Sequence, residues 1–329
     1  MHKQAKIYVA GHHGLVGSAL HNALQAQGYT NIITRTSKEL DLRNQQAVTD
    51  FFSQELPQYV FLAAAKVGGI YANNTYPAQF LYDNVMIEAN VLHAAYVYGV
   101  TKLLFLGSSC IYPRECAQPI NESYLLSGPL EHTNKPYALA KITGIALCES
   151  YNKQYGTHFI SCMPTNLYGP RDNFDLETSH VIPALIAKIC KAQHEQHKTV
   201  TVWGTGNALR EFLYVEDLAN ALIFLMHNYD ENLHINIGTG KDMSIKNLAL
   251  LIKKLTGYQG ELIFDTSKPD GTPRKVLNVE KINNLGWHAA TRLEDGLKKT
   301  IDWYVAEHYK KASQTIPLCT SIDSSMLHF

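Results

Sequence analysis

The chain has 329 residues, enough for two packed lobes with sizeable cores, and 46% of them are hydrophobic. Its 29 basic and 29 acidic side chains cancel to a formal net charge of zero with no long basic run, which argues against nucleic acid as a partner. No apolar stretch reaches membrane-spanning length, no signal-peptide core opens the chain, and the 6 cysteines form no CxxC pair, so a cytoplasmic protein with reduced thiols is expected.

In chain order, Lys6 to Ala10 predicts a first strand. It enters Gly11-His12-His13-Gly14-Leu15-Val16-Gly17 and then an amphipathic helix to about Gln27. Glycines so spaced permit a tight turn and close backbone approach to a pyrophosphate, and the helix start offers free N–H groups to that anion. A second strand over about Asn31 to Arg35 ends in Thr34-Arg35-Thr36-Ser37, with no acid. An acid there bonds the ribose 2′-OH of NAD, whereas Arg35 suits a 2′-phosphate, so NADP(H) is expected over NAD(H). Asp41 follows, with helix capping as one reading. Gln58 to Ala65 predicts a third strand whose small residues, Ala63 among them, let a cofactor approach. Pro77 to Tyr98 carries a long helical pattern.

Leu103 to Leu106 is short, apolar and stopped by Gly107, Ser108 and Ser109, the mark of a buried parallel strand. Ligands of open α/β sheets lie at the carboxyl ends of strands, which is where Ser108 and Cys110 fall. A loop from Arg114 to Lys135 is expected to cover the site. Tyr137 and Lys141 stand four residues apart in a helix running to about Tyr155, so they share a face. A lysine ammonium favours a neighbouring phenolate, which predicts a lowered Tyr137 pKa and proton exchange near neutral pH. Phe159 to Thr165 predicts the next strand, ending Pro164-Thr165-Asn166-Leu167-Tyr168-Gly169.

Beyond Gly169 the composition shifts. Ser179-His180-Val181 leads into a helix carrying Lys188, Val200 to Trp203 reads as a strand, and Gly204 to Phe212 reads as a loop. A helix opening at Val215-Glu216-Asp217 returns to the first lobe. Leu233 to Ile237 predicts a strand, Ser244 the N-cap of a helix to Thr256, Lys268 to Lys275 a charged loop, and Leu293 to Tyr309 a last helix. The tail from about Ala312 is expected to be mobile. The fold class is α/β: a doubly wound, mostly parallel Rossmann-type sheet over residues 1–168 with a returning segment at about 207–235, and a smaller α/β substrate lobe over 169–311. The 15 histidines form no H-E-x-x-H or Cys/His cluster, so no metal is expected.

The GxxGxxG turn, the Ser at a strand end and the Tyr-x-x-x-Lys pair together resemble the extended short-chain dehydrogenases/reductases that work on nucleotide sugars. The finer pattern SSCIYP, YALAK, MPTNLYGPRDNFD and SHVIPAL is similar to the epimerase–reductases of GDP-4-keto-6-deoxymannose. The resemblance runs from about Lys6 to Trp303. It implies NADPH-dependent 3,5-epimerisation and 4-reduction of that GDP-sugar to GDP-L-fucose. It also implies cofactor contacts along Gly11, His13, Gly14, Leu15, Val16, Gly17, Arg35, Asp41, Ala63, Leu106, Gly107, Ser108, Tyr137, Lys141, Pro164, Asn166, Leu167 and His180, with Asp41 near the adenine. The family has Arg in place of His13, facing the 2′-phosphate. A neutral imidazole is a weaker anion partner, which predicts a reduced NADP preference.

In the implied chemistry, Tyr137 gives a proton to the sugar O4, Ser108 bonds that oxygen, and Lys141 tunes Tyr137 and holds the nicotinamide ribose. The C4 ketone acidifies the C3 and C5 protons, and Cys110 and His180 are the candidate base and acid there. The blander readings are a buried hydrophobe for Cys110 and a helix cap for His180. Lys188 and Arg210 are expected at the diphosphate, Trp203 on the guanine or ribose, and Asp270 as a substrate-loop acid with Lys275 nearby. The Pro77 and Tyr137 helices are expected to build a homodimer interface. Three rival functions stand beside this one: a nucleotide-sugar 4-epimerase, a reductase of another 4-keto sugar nucleotide, and a non-catalytic NADP sensor.

Overall fold

Two hydrophobic cores organise the molecule, one under each lobe. The computed structural model describes residues 1–268 and 270–310; the tail expected after Ala312, with Cys319, lies outside the described residues. The first lobe starts with β1 (Ile7–Ala10), α1 (Leu15–Ala26), β2 (Ile32–Ile33), α2 (Gln45–Glu55) and β3 (Tyr59–Leu62). It continues through α3 (Ile70–Thr75), α4 (Pro77–Val97), β4 (Lys102–Leu106), α5 (Lys135–Tyr155) and β5 (Phe159–Pro164). Helices cover both faces of the sheet, so β1, β4 and β5 are buried along their whole length and read as apolar runs rather than alternations.

After β6 (Asn166–Tyr168) the chain builds the second lobe from α6 (Val181–His194), β7 (Thr199–Trp203) and β8 (Leu209–Tyr214). It returns through α7 (Val215–Asn228), which packs on α1, and β9 (Ile235–Ile237), which pairs with β5. The first sheet therefore has six parallel strands in the order β2-β1-β3-β4-β5-β9. The remaining elements are β10 (Asp242–Ser244), α8 (Ile245–Thr256), β11 (Glu261–Asp265), β12 (Arg274–Lys275), α9 (Glu280–Asn284) and α10 (Leu293–Val305). Ser244 caps α8 by accepting from the Asn247 N–H at 3.1 Å.

Three stretches depart from the sequence reading. Leu209–Phe212 is strand rather than loop, because β6, β10 and β12 all pair with it. The charges that suggested a loop are accommodated inside: Glu211 is fully buried and its carboxylate accepts from the backbone N–H groups of Thr239, Gly240 and Leu277. Arg274 and Lys275 likewise form a strand beside Leu209 and Arg210. The last helix is α-helical only to Val305 and continues as a π turn over Ala306–Lys310.

Candidate active site

The glycine turn between β1 and α1 holds its shape by steric need. Gly11 has φ +87°, a left-handed conformation that suits glycine, and a Cβ on Gly17 would overlap the Gly11 carbonyl. The Gly14 N–H donates to Gly11 O at 3.1 Å, and α1 starts at Leu15 with no side-chain cap and no acid in its first turn. A helix end left so open electrostatically suits a phosphate. His12 and His13 lie beside it with ring centroids 4.0 Å apart and planes tilted by 54°; His12 is half-buried and His13 exposed.

β2 stops at Ile33, so Arg35 sits past the strand rather than at its end, and its guanidinium is occupied. Nη2 meets Glu55 Oε1 at 2.6 Å and Nη1 donates to Thr34 O. Asp41 does not cap a helix: Asn44 caps α2, while Asp41 pairs with Arg43 at 2.8 Å. That neighbour holds the Asp41 carboxyl below its usual range.

At the end of β4 the chain turns through a 3-10 segment, Ser109–Ile111, capped by the Ser108 hydroxyl accepting from Cys110 N–H at 3.3 Å. Gly107 leaves room for the Met163 side chain of β5. Lys141 is almost fully buried; it donates to Leu106 O at 3.0 Å and forms an ion pair with Glu88 Oε1 of α4, also at 3.0 Å. Its ammonium lies 4.7 Å from the Phe105 ring centroid and 5.8 Å from that of Tyr137.

The expected lowering of the Tyr137 pKa is overturned. Burial pushes the phenol well above its ordinary value, with Cys110 and Glu88 pushing the same way. The physical reason is that the Lys141 charge is cancelled by Glu88, and that desolvation of a phenolate outweighs what remains. At neutral pH Tyr137 is a protonated donor.

Cys110 is buried, Tyr137 and Lys275 are half-buried, and His180 is exposed. His180 occupies the N-cap position of α6 without making a side-chain cap bond, so the ring is free. Burial raises the Cys110 thiol while Lys275 pulls it down; burial lowers the His180 imidazole and Lys275 lowers it further. Lys275 thus acts on both groups, and its own pKa is lowered by burial. With the thiol raised and the imidazole lowered, both groups are neutral at neutral pH.

The substrate-side residues lie along β7, β8, β12 and α6. Lys188 Nζ stands 5.2 Å over the exposed Trp203 ring, with Lys268 Nζ 5.7 Å from the same ring. Arg210 Nη2 donates to the Asp270 carbonyl at 3.4 Å, while the Asp270 carboxylate accepts from Thr205 N–H and hydroxyl at 2.7 and 2.8 Å. Asp270 therefore shapes the Gly204–Thr205 turn. Asn166 Nδ2 donates to Glu211 O at 2.8 Å, tying the start of β6 to β8.

Residues 7–238 match the model of the NAD dependent epimerase/dehydratase family. Among similar curated proteins, GDP-L-fucose synthase 1 of Arabidopsis thaliana is 56% identical, with 92% of this chain and 94% of that protein covered. The GDP-L-fucose synthase of Escherichia coli is 53% identical, with 93% and 98% covered. The chain belongs to this family, among the GDP-L-fucose synthases. A solved member, GDP-mannoheptose C4 reductase from Campylobacter jejuni with NADP bound, is 42% identical with a TM-score of 0.86, covering 92% of this chain and 99% of that one. Family membership leaves two buried acids that the motifs had not flagged, Glu88 and Glu211. Each is a carboxylate inside an apolar run, NVMIEANVL and EFLYV, and that mismatch was the available signal.

Proposed function

We propose that this chain catalyses the NADPH-dependent 3,5-epimerisation and 4-reduction of GDP-4-keto-6-deoxy-D-mannose, giving GDP-L-fucose. The observation that carries the reading is that the turn after β4, with Ser108 and Cys110, packs against α5, where Lys141 donates to Leu106 O at the end of β4 and its ammonium lies 5.8 Å from the Tyr137 ring. GDP-L-fucose synthases at more than half identity support the choice of sugar.

The first lobe takes the cofactor and the second takes the GDP-sugar. The uncapped, acid-free start of α1 fits a pyrophosphate, and Lys141 has an ammonium N–H beyond its two contacts for a ribose hydroxyl. NADP-bound relatives support that cofactor. NADPH, when bound, supplies hydride. Tyr137, kept protonated by burial, gives the proton to O4, and the Ser108 hydroxyl donates to the same oxygen. Cys110 and His180 move protons at C3 and C5, where the C4 ketone makes an enolate accessible. Lys188 and Arg210 meet the diphosphate and Trp203 the guanosine.

The partner readings follow the surfaces. Leu81, Tyr82, Val97, Leu139 and Tyr155 are exposed on α4 and α5, an apolar set that supports a homodimer through these helices. Among the described residues no helix is long and apolar enough to cross a membrane. A cytoplasmic enzyme without nucleic-acid or membrane partners is the reading that the balanced charge supports.

A second reading, reduction of a different GDP-4-keto sugar without epimerisation, draws on the Campylobacter jejuni C4 reductase. Incubating the purified protein with GDP-4-keto-6-deoxymannose and NADPH in deuterated water separates the two. GDP-L-fucose deuterated at C3 and C5 is the expected product. A reduced sugar retaining both protons would establish the second reading instead.

A further inference from the structure

The reductive residues depend on a carboxylate that belongs to neither the cofactor turn nor the substrate strip. Glu88 lies near the middle of α4, fully buried, and faces α5. Its Oε1 stands 3.0 Å from Lys141 Nζ, and both side chains are nearly inaccessible to solvent. Neither carboxylate oxygen has a directed hydrogen-bond partner, so Oε1 meets Lys141 as an ion pair, and the facing residue of α5 is Gly144, where a Cβ would come within 2.9 Å of Oε2. The two long helices therefore approach closely at the point where the acid is inserted. A buried charge pair of this kind is not retained for stability, because desolvation consumes most of its Coulomb attraction and an apolar pair of similar volume does as well.

What the pair does is local. Lys141 donates one N–H to Leu106 O and stands in ion-pair contact with Glu88 Oε1, each at 3.0 Å. These two contacts hold the ammonium between the Phe105 and Tyr137 rings. Without Glu88 the lysine would stand as an uncompensated cation beside a phenol that has to stay protonated until it delivers its proton. We propose that Glu88 is a positioning residue of the reduction: it fixes Lys141 against the end of β4 and cancels its charge, keeping Tyr137 a proton donor. The titratable groups that face this pair are Tyr137 and Cys148 of α5, Cys110 of the 3-10 turn and Cys162 of β5, and burial raises the pKa of all four. Glu88 itself is pushed up by burial and drawn down by Lys141.

The proposal rests on the reductase reading, and its test has one arm that needs no substrate. Glu88→Gln keeps the shape and removes the charge. In that variant the alkaline limb of the reduction rate, where Tyr137 loses its proton, is expected to move to lower pH by about one unit. Epimerisation, read as solvent deuterium exchange at C3, is expected to hold near the wild-type rate. The substrate-free arm follows the near-ultraviolet tyrosinate absorbance, subtracting the same titration of a Tyr137→Phe protein; the Tyr137 signal is expected to rise at lower pH in Glu88→Gln.

Should Glu88→Gln not fold, Glu88→Asp withdraws the carboxylate by one methylene and is expected to shift the same limb in the same direction by less. A limb and a tyrosinate titration that stay in place, with activity reduced equally at every pH, would overturn the proposal and leave Glu88 a packing residue. Wild-type protein that titrates at Tyr137 but reduces no GDP-4-keto sugar would sink the functional reading alone.

Discussion

The two halves of the cleft treat a buried lysine in opposite ways. In the reductive half, Lys141 is matched by Glu88 and anchored on Leu106 O, and Ser108, Tyr137 and Lys141 all come from β4, its following turn and α5. In the epimerising half, Lys275 has no ion pair among the described residues, and Cys110, His180 and Lys275 come from the β4 turn, the start of α6 and β12. A phenol that has to donate a proton needs its neighbouring cation cancelled. A thiol and an imidazole that trade protons with carbon gain from a cation left uncancelled, since it steadies developing negative charge. The reductive set is also carried by one lobe, while the epimerising set is assembled across both.

The largest expected effect tests the independence of the halves. Tyr137→Phe should cut reduction by about three to four orders of magnitude, as loss of a general acid does, while deuterium exchange at C3 persists. Equal loss of both would break the comparison, because the phenol would then serve both chemistries. Cys110→Ser is the mirror test. It should lower exchange at C3 and C5 by about two to three orders of magnitude while a pre-epimerised 4-keto sugar is still reduced by NADPH. Wild-type turnover in Cys110→Ser would remove Cys110 from the chemistry.

The reductive half was legible in the sequence because its signals are local. A strand stopped by Gly107 and Ser108, and a Tyr and Lys one helical turn apart, fix positions through short-range geometry. The glycine turn was readable for the same reason. What escaped was set at long range. Glu88 meets Lys141 across 53 positions of chain, so the net shift of Tyr137, set by burial with Cys110 and Glu88 beside it, ran opposite to the one read from the helix alone. Leu209–Phe212 looked like a loop because Arg210 and Glu211 are charged; the N–H groups that satisfy Glu211 come from Thr239, Gly240 and Leu277, which no local pattern announces. Arg35 was read as the end of the second strand, whereas β2 stops at Ile33 and the partner of Arg35, Glu55, is twenty residues on.

A smaller effect sharpens the contrast between the lysines. Lys275 lowers both the Cys110 thiol and the His180 imidazole. Lys275→Met should therefore raise both. Epimerisation requires one partner protonated and the other not, so its bell-shaped pH profile is bounded by these two groups whichever of them is the base. Both limbs should move to higher pH, by about one unit, with the reduction profile unmoved. A profile that only shrinks in height would mean that Lys275 acts through the substrate rather than through the couple.

The smallest effect asks whether cancellation of cations by carboxylates extends to the cofactor end of the first lobe. Glu55 holds Arg35 at 2.6 Å and Lys6 at 3.1 Å, at partly exposed positions. If Arg35 meets the 2′-phosphate, it has to leave or share Glu55 to do so, and that costs part of its affinity. A pair this exposed is worth no more than about 1 kcal/mol, so Glu55→Gln should tighten NADPH by up to roughly fivefold. NADH has no 2′-phosphate and should bind Glu55→Gln as it binds the wild type. The ratio of the two Kd values is the measurement, because a general loosening of β2 would change both cofactors alike. An unchanged ratio would move the phosphate contact away from Arg35.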